Sequence, residues 1–434
     1  MGCGGESVIK KIKWKNHNSL GNLLLDLTKP DGTAYNTIIL AGENGSGKTT
    51  VLDTLSDFLN GMSFEPFDYI DYEVLESDYH IVPDQVNSSV GFHKRAIIGT
   101  EEYEQVNSGR RNNEDALRND RKDIRSYGFA YSKARSGFNT NQVKSVTTQQ
   151  VDIEKFEPDS SDDYTHIKQL IIDIEQQDDA AWRTETEQRN VSDKKYDEFV
   201  IHRSKGYRFQ KAFNTFFDLI KYAGVNNDNP QEKQVIFEKH GSKIPVDNLS
   251  TGEKQIVFRG AHLLRNLNSI SGGIVLIDEP ELSMHPMWQR RILQYYRGLF
   301  TDNNGIQKVQ LIIATHSEYV LRAALVDRDN VLVIALKDNN GVIESNRITA
   351  PSVLPTITVA EINYLVFNVL TVDYHIALYG YLQSKEEIQS VKVCDNYIRQ
   401  SSCYDESIHN KQDTYRGVTY QTLPTCYEVT FVKR

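Results

Sequence analysis

Residues 42–50 read GENGSGKTT. Glycines at 42, 45 and 47 precede a lysine and two threonines, which is the G-x-x-x-x-G-K-[ST] spacing of a phosphate-binding loop. The flanks supply the context this spacing needs. YNTIIL before the loop is apolar and β-branched and reads as a short buried strand. KTTVLDTLSDFL after it puts Val51, Leu52, Leu55, Phe58 and Leu59 at helical spacing. Gly42, Gly45 and Gly47 let consecutive N–H groups turn towards an anion, and the helix N-terminus adds its dipole. The nucleotide cradle is therefore expected to comprise Gly42, Glu43, Asn44, Gly45, Ser46, Gly47, Lys48, Thr49 and Thr50. Lys48 is placed to reach β- and γ-phosphates, and the Thr49 hydroxyl to meet Mg²⁺. A chance glycine-rich turn competes with this reading, but it explains neither the strand, the lysine nor the threonine.

Residues 272–286, GGIVLIDEPELSMHP, supply a second element. Ile274 to Ile277 form an apolar strand ending in Asp278 and Glu279, where α/β sheets bind ligands. Asp278 would hold Mg²⁺, and Glu279 would polarise an attacking water. Two adjacent carboxylates beside a polyanion need that cation. Alone, the pair also reads as a solvated acidic turn.

Between these lies VDNLSTGEKQIVFRGAHLL, 246–264, a polar turn opening an amphipathic helix. Ser250 and Glu253 fit an S-x-x-E capping box. The same turn, through Ser250 and Gly252, would also present a hydroxyl and N–H groups to a phosphate. A fourth element, VQLIIATHSEYVL at 309–321, is another buried strand ending in Thr315-His316-Ser317. A lone histidine at a strand end is usually structural. Following the Asp278-Glu279 strand by one helix, His316 is a candidate contact for a γ-phosphate or the attacking water.

These four elements, in this order, resemble the ABC-type ATPase heads: GENGSGKT, LSTGEKQ, IVLIDEPE and ATHS. The resemblance covers residues 8–60 and 240–335. It implies an α/β P-loop NTPase fold of ABC-ATPase head type, a mixed sheet with flanking helices and a helical insertion between two half-lobes. It also implies ATP and Mg²⁺, with Lys48, Glu279 and His316 catalytic and Ser250 and Gly252 clamping the partner's nucleotide in a head-to-tail homodimer. Asp278 follows Lys48 by 230 residues, far more than in ring-forming ATPases. That gap, the G-x-N-G-x-G-K loop and the E-x-x-L-S-M-H-P run from Glu279 resemble the SMC, RecF and OLD group, and the AbiEii-like ATPases in particular. In such heads a glutamine after a returning strand senses Mg²⁺. GFAYSKARSGF, 128–138, looks like that strand, making Gln142 the candidate, with Gln149 and Gln150 as competitors.

The expected divisions are 1–60 and 236–335 for the half-lobes, 61–235 for the insertion and 336–434 for an accessory region. Residues 61–150 read as polar and irregular with strand-like pieces, and 163–223 as helical, a hairpin or small lid whose last helix stops at a glycine. HRSKGYRFQKAF, 202–213, interleaves Arg203, Lys205, Arg208 and Lys211 with Tyr207, Phe209 and Phe213. It reads either as a nucleic-acid surface or as a solvated helix face with core aromatics. TVAEINYLVFNVLTVDYHIALYGYLQ, 358–383, reads as helical; His375 and Asp373 there have no metal or catalytic spacing. The tail departs from its relatives after Thr425.

The 434 residues carry a formal charge of −10 with 25% charged residues, which excludes a protein basic all over but allows a local basic groove. Cys3, Cys394, Cys403 and Cys426 have no CxxC spacing, so neither a zinc site nor a disulfide framework is expected. No apolar run reaches membrane-spanning length, MGCGGES lacks a signal-peptide core, and Glu6 breaks a myristoylation pattern, so the expected setting is cytoplasmic, with no membrane. The leading expectation is an ATPase of bacterial anti-phage or abortive-infection type, resembling the ATPase subunit of Septu-type systems and working with a nuclease or other effector. A RecF/SMC-like repair clamp and an ATP-gated scaffold or toxin regulator are the alternatives.

Overall fold

A computed structural model describes residues 7–422 apart from 63, 85–91, 108, 110–118, 136, 160, 162, 189–198, 202, 228–231, 350, 352, 403, 410, 416 and 417. The chain divides into two units, Met1–Arg347 and Ile348–Arg434.

The first unit is built on a seven-stranded sheet of β3 (Thr37–Ala41), β8 (Phe129–Ser132), β9 (Phe156–Glu157), β13 (Ile274–Asp278), β14 (Gln310–Thr315), β15 (Val331–Asn339) and β16 (Val342–Arg347). Their spatial order is β16-β15-β3-β14-β13-β8-β9, parallel throughout except for the antiparallel edge strand β16. Every residue of β3, β13 and β14 is buried, as strands covered on both faces must be. Helix α1 (Lys48–Leu59) packs on β13 and β14 through Val51, Leu52, Leu55, Phe58 and Leu59. Each such side chain contributes about 1.5–3 kcal/mol by leaving water.

A six-stranded antiparallel sheet lies beside it, ordered β2-β1-β4-β5-β6-β7. Its strands are β1 (Ser7–Trp14), β2 (Leu24–Asp26), β4 (Phe67–Val74), β5 (Ser77–Pro83), β6 (Phe92–Ile97) and β7 (Glu104–Asn107). Trp14, Phe67 and Ile70 from this sheet share one core with Leu55, Phe58, Leu276 and Ile312. The two sheets are joined by Gln310 at the start of β14. Its buried amide accepts from Ile9 N at 2.8 Å and donates to Ile9 O and Tyr35 O at 2.9 Å each.

This arrangement corrects the expected divisions. Within the expected 61–235 insertion, strands β4 to β7 complete the sheet that β1 begins, and β8 is an interior strand of the seven-stranded sheet. The expected boundary at 335/336 falls inside β15, and the unit instead ends at Arg347. Helices do follow, Thr165–Gln188 and Tyr207–Phe216. The first buries Ile167, Leu170, Ile171 and Ile174, whereas Asp179, Ala180, Ala181, Arg183 and Thr184 further along are exposed. Gly224 is not a helix stop. It lies in β10 (Ile220–Asn226) at φ 86, where the pairing with β11 (Gln234–Lys239) shifts register between Tyr222 and Val225. With β12 (Ser242–Pro245) these strands form a three-stranded sheet.

The second unit comprises helices Val359–Phe367, Val372–Lys385, Val391–Arg399 and Glu406–His409 and the hairpin β17 (Lys411–Tyr415) with β18 (Val418–Thr422). Thr358, Thr371 and Ser390 cap the first three helices. Leu382, Cys394 and Ile398 form one small cluster, and Leu354, Tyr374 and Leu378 another. Among the described residues no single helix is long and apolar enough to cross a membrane. The departure after Thr425 lies outside the described residues.

Candidate functional site

The phosphate loop leaves the C-terminal end of β3, and the neighbouring ends of β14 and β13 carry the other candidate groups. Gly45 and Gly47 hold φ of 84° and 87°, the left-handed region that favours glycine. A Cβ on Gly47 would also meet Leu20 Cδ2 at 2.7 Å. No side chain caps α1 at Gly47, so its first N–H groups are left for an anion.

Lys48 is 5% exposed and folds back on the loop, donating to Gly42 O at 2.9 Å and Glu43 O at 2.8 Å. Burial pulls its pKa down, while Glu279, Asp278 and Glu281 pull the other way. Thr49 Oγ1 donates to Asp278 Oδ2 at 2.8 Å. Burial pushes the Asp278 carboxyl up to about 6, helped by the Glu279 charge and opposed by the Thr49 hydrogen bond. Asp278 Oδ1 and Ser46 Oγ are buried without a hydrogen-bond partner. Such orphaned atoms are costly unless a ligand meets them. A hydroxyl beside a carboxylate with a free oxygen is a donor set that suits Mg²⁺. The residues present therefore fit a magnesium nucleotide: Thr49 and Asp278 would meet the metal, and Gly42, Glu43, Asn44, Gly45, Ser46, Gly47, Lys48, Thr49 and Thr50 would surround the phosphates.

Glu279 sits at φ 43°, so its side chain diverges from that of Asp278 one residue earlier. Its Oε1 lies 3.2 Å from His316 Nδ1. An ionised carboxylate only accepts, so Nδ1 carries the hydrogen. Spacing alone missed Glu281. This carboxylate is 2% exposed and accepts from Thr315 Oγ1 at 2.6 Å and His316 N at 3.0 Å. Burial raises its pKa, against those two hydrogen bonds. It thereby fixes the backbone that presents His316.

Ser250 realises the capping box: Glu253 N donates to its Oγ at 3.4 Å, and Ser250 N donates to Glu253 Oε2 at 2.8 Å. Its side chain is exposed. Gly252 is buried for a steric reason, since a Cβ there would lie 2.9 Å from Ser283 O. The helix it opens contains a π turn, Gln255–Arg259. Arg259 is fully buried and was also missed, because an arginine on an amphipathic helix reads as solvent-facing. It donates to Ser132 Oγ and O at 2.8 and 3.0 Å, Gln255 Oε1 at 3.3 Å, Asp278 O at 2.5 Å and Glu279 O at 3.0 Å. One guanidinium thus ties the Ser250 helix to the backbone carbonyls of both acidic residues at the end of β13.

Gln142 is not brought to this cluster. Its side chain is exposed, and its neighbours point elsewhere: Asn141 N donates to Thr165 Oγ1 at 2.7 Å, and Val143 bridges to Lys233. Gln149 is held away too, its N–H donating to Asp173 at 3.2 Å. Gln150 is exposed. The basic-aromatic stretch resolves as a helix face with core aromatics. Phe209 and Phe213 are buried, and Arg208 makes two hydrogen bonds to Asp152, at 2.9 and 2.7 Å. These rings have no face free for a base. His202 of that stretch lies outside the described residues.

A glycine loop with lysine, paired carboxylates and a histidine at adjacent ends of one parallel sheet, together with a capped glycine turn, define a P-loop nucleotide head of ABC type. Comparison with known proteins places the chain in a family. It belongs to the family described as "AAA domain, putative AbiEii toxin, Type IV TA system", whose model matches residues 38–322. It is 35% identical over 133 residues to "Retron Vc95 probable ATPase" of Vibrio cholerae serotype O1 biovar El Tor, covering 29% of this chain and 24% of that protein. It is 33% identical over 109 residues to "Retron Ec83 probable ATPase" of Escherichia coli, covering 23% of this chain and 19% of that protein. To "Septu protein PtuA" of Bacillus thuringiensis it is 24% identical over 127 residues, covering 27% and 30%. The matched segments thus span less than a third of each relative. Among solved structures, an SMC head domain from Thermotoga maritima is similar over 78% of this chain and 98% of that one, at 15% identity and a TM-score of 0.40.

Proposed function

We propose that this chain is an ATP hydrolase that closes as a two-fold dimer around two Mg-ATP molecules and uses the cycle to drive a separate effector, a nuclease, in defence against phage. The observation that carries the hydrolase reading is the Lys48–Thr49–Asp278–Glu279–His316 cluster, with Asp278 Oδ1 and Ser46 Oγ left without partners. Bound Mg²⁺ would supply charge neutralisation beside the phosphates. Lys48 exchanges the carbonyls of Gly42 and Glu43 for phosphate oxygens. Glu279 orients the attacking water and takes its proton, while His316, steadied by Glu281, holds Glu279 through Nδ1–H and contacts the γ-phosphate only when Nε2 also carries a hydrogen.

The dimer reading rests on Ser250. Its hydrogen bonds go to Glu253 and its side chain is exposed, so a second protomer's nucleotide is a fitting partner for the turn. The defence reading rests on the names of the retron and Septu relatives. Glu279→Gln should bind ATP and hydrolyse it slowly. Light scattering of this variant should show a dimer with Mg-ATP and a monomer without it; a monomer under both conditions would refute the clamp.

A further inference from the structure

The strand next to β13, on the side away from His316, is β8. Ser132 ends it and pairs with Ile277, so Lys133 leaves the sheet level with Asp278, at the edge where the loop and carboxylates gather. Lys133 Nζ makes an ion pair with Asp53 Oδ1 at 3.0 Å, with the two side chains 44% and 42% exposed. It also lies 5.4 Å from the centroid of the Tyr131 ring. Tyr131 OH donates to the same Asp53 oxygen at 3.1 Å. Asp53 stands four residues after Thr49 on α1, hence on the same face, with Cβ atoms about 6 Å apart. The ammonium is therefore held about one helical turn from the Thr49–Asp278 pair. The backbone behind it is fixed: Lys133 N donates to Asp159 Oδ2 at 3.0 Å, and Asp159 is itself bonded to Arg135.

We propose that Lys133 is a second phosphate-binding cation of this site, parked on Asp53 in the free protein and transferred to the γ-phosphate when ATP binds. This rests on the ATP-hydrolase reading above. Four acidic side chains, Asp53, Asp278, Glu279 and Glu281, gather near the place where the triphosphate enters. Before a cation binds, Lys48 and Arg259 together leave that charge under-compensated. Lys133 has the properties of a movable counter-charge: a flexible four-carbon stem, a half-exposed head and a half-exposed partner. A surface pair of this kind is worth little in place, so leaving the single charge of Asp53 for a γ-phosphate that carries up to two charges is favourable.

The test separates the third phosphate from the first two. In the Glu279→Gln background, equilibrium binding of Mg-ATP and Mg-ADP is measured with and without Lys133→Ala, and with Lys133→Arg as the conservative variant. Loss of one charge-assisted contact should weaken Mg-ATP about tenfold to a hundredfold and Mg-ADP less than about twofold, with Lys133→Arg recovering most of the difference. A merely structural lysine would weaken both nucleotides equally. Equal weakening of both, or no change in either, would overturn the proposal while leaving the hydrolase reading intact. Absence of Mg-ATP binding by Glu279→Gln itself would overturn that reading and this one together. Matching thermal melts of the variants show that the fold is retained.

Discussion

Asp278→Asn is expected to stabilise the nucleotide-free protein while disabling its site. Asp278 is 1% exposed, and its folded-state pKa is about 6 against an ordinary value of 3.8. Its folded form holds a proton more tightly than the unfolded chain does. The stability tied to this group is therefore complete below pH 3.8 and is lost as pH rises through about 6. At about 1.36 kcal/mol per unit, the ionised carboxyl costs the fold about 3 kcal/mol at pH 8. Asparagine keeps an oxygen for the Thr49 hydroxyl and carries no charge at any pH. Unfolding entropy of about 2.1 cal/mol/K per residue, over a unit of 347 residues, turns about 3 kcal/mol into a Tm rise of about 4 °C. Thermal melts in EDTA at pH 4, 6 and 8 check this: the gap between variant and parent should be absent at the lowest pH and full at the highest. Mg-ATP should raise the parent's Tm at pH 8 and leave the variant's nearly unchanged. A variant melting at or below the parent at pH 8 without ligand would refute the reasoning, because the carboxylate would then not be strained by burial.

Arg259→Met should remove five hydrogen bonds and expose the carbonyls of Ser132, Asp278 and Glu279 to an apolar neighbour. We expect a loss of about 3 kcal/mol or more in denaturant unfolding and loss of turnover with Mg-ADP binding retained; unchanged turnover would show that the carboxylates need no such tie. Gly252→Ala places a Cβ 2.9 Å from the backbone oxygen of Ser283. It should cost about 1–3 kcal/mol by overpacking and abolish nucleotide-dependent dimerisation in light scattering, whereas a dimer of normal affinity would remove the turn from the interface.

The loop, the two carboxylates and the histidine were legible because each couples a local pattern to a strand end. GENGSGKTT needs its glycines for backbone reasons, and IVLID and LIIAT are too uniformly apolar to be anything but covered strands. Glu281 and Arg259 were not legible. A glutamate in a turn and an arginine in a helix are ordinarily solvated, and only tertiary packing buries these two against backbone groups. The six-stranded sheet was read as irregular because its strands are half-wet: β4 alternates buried and partly exposed residues, and β1 is interrupted by register shifts against it. Gln142 is expected only from the resemblance to heads in which a glutamine follows the returning strand, whereas the residue that leaves β8 level with Asp278 is Lys133. Phe209 and Phe213 were ambiguous between stacking platform and core because aromatic spacing on a helix is the same for both.

Gln310 joins the two large sheets at the end of β14 opposite His316, and it does so with an amide that copies a peptide group in donating and accepting at once. Only asparagine, one methylene shorter, carries the same amide group. The joint therefore pins the two sheets together at the end of β14 away from the phosphate loop, so that a change at Gln310 would be felt in both sheets at once.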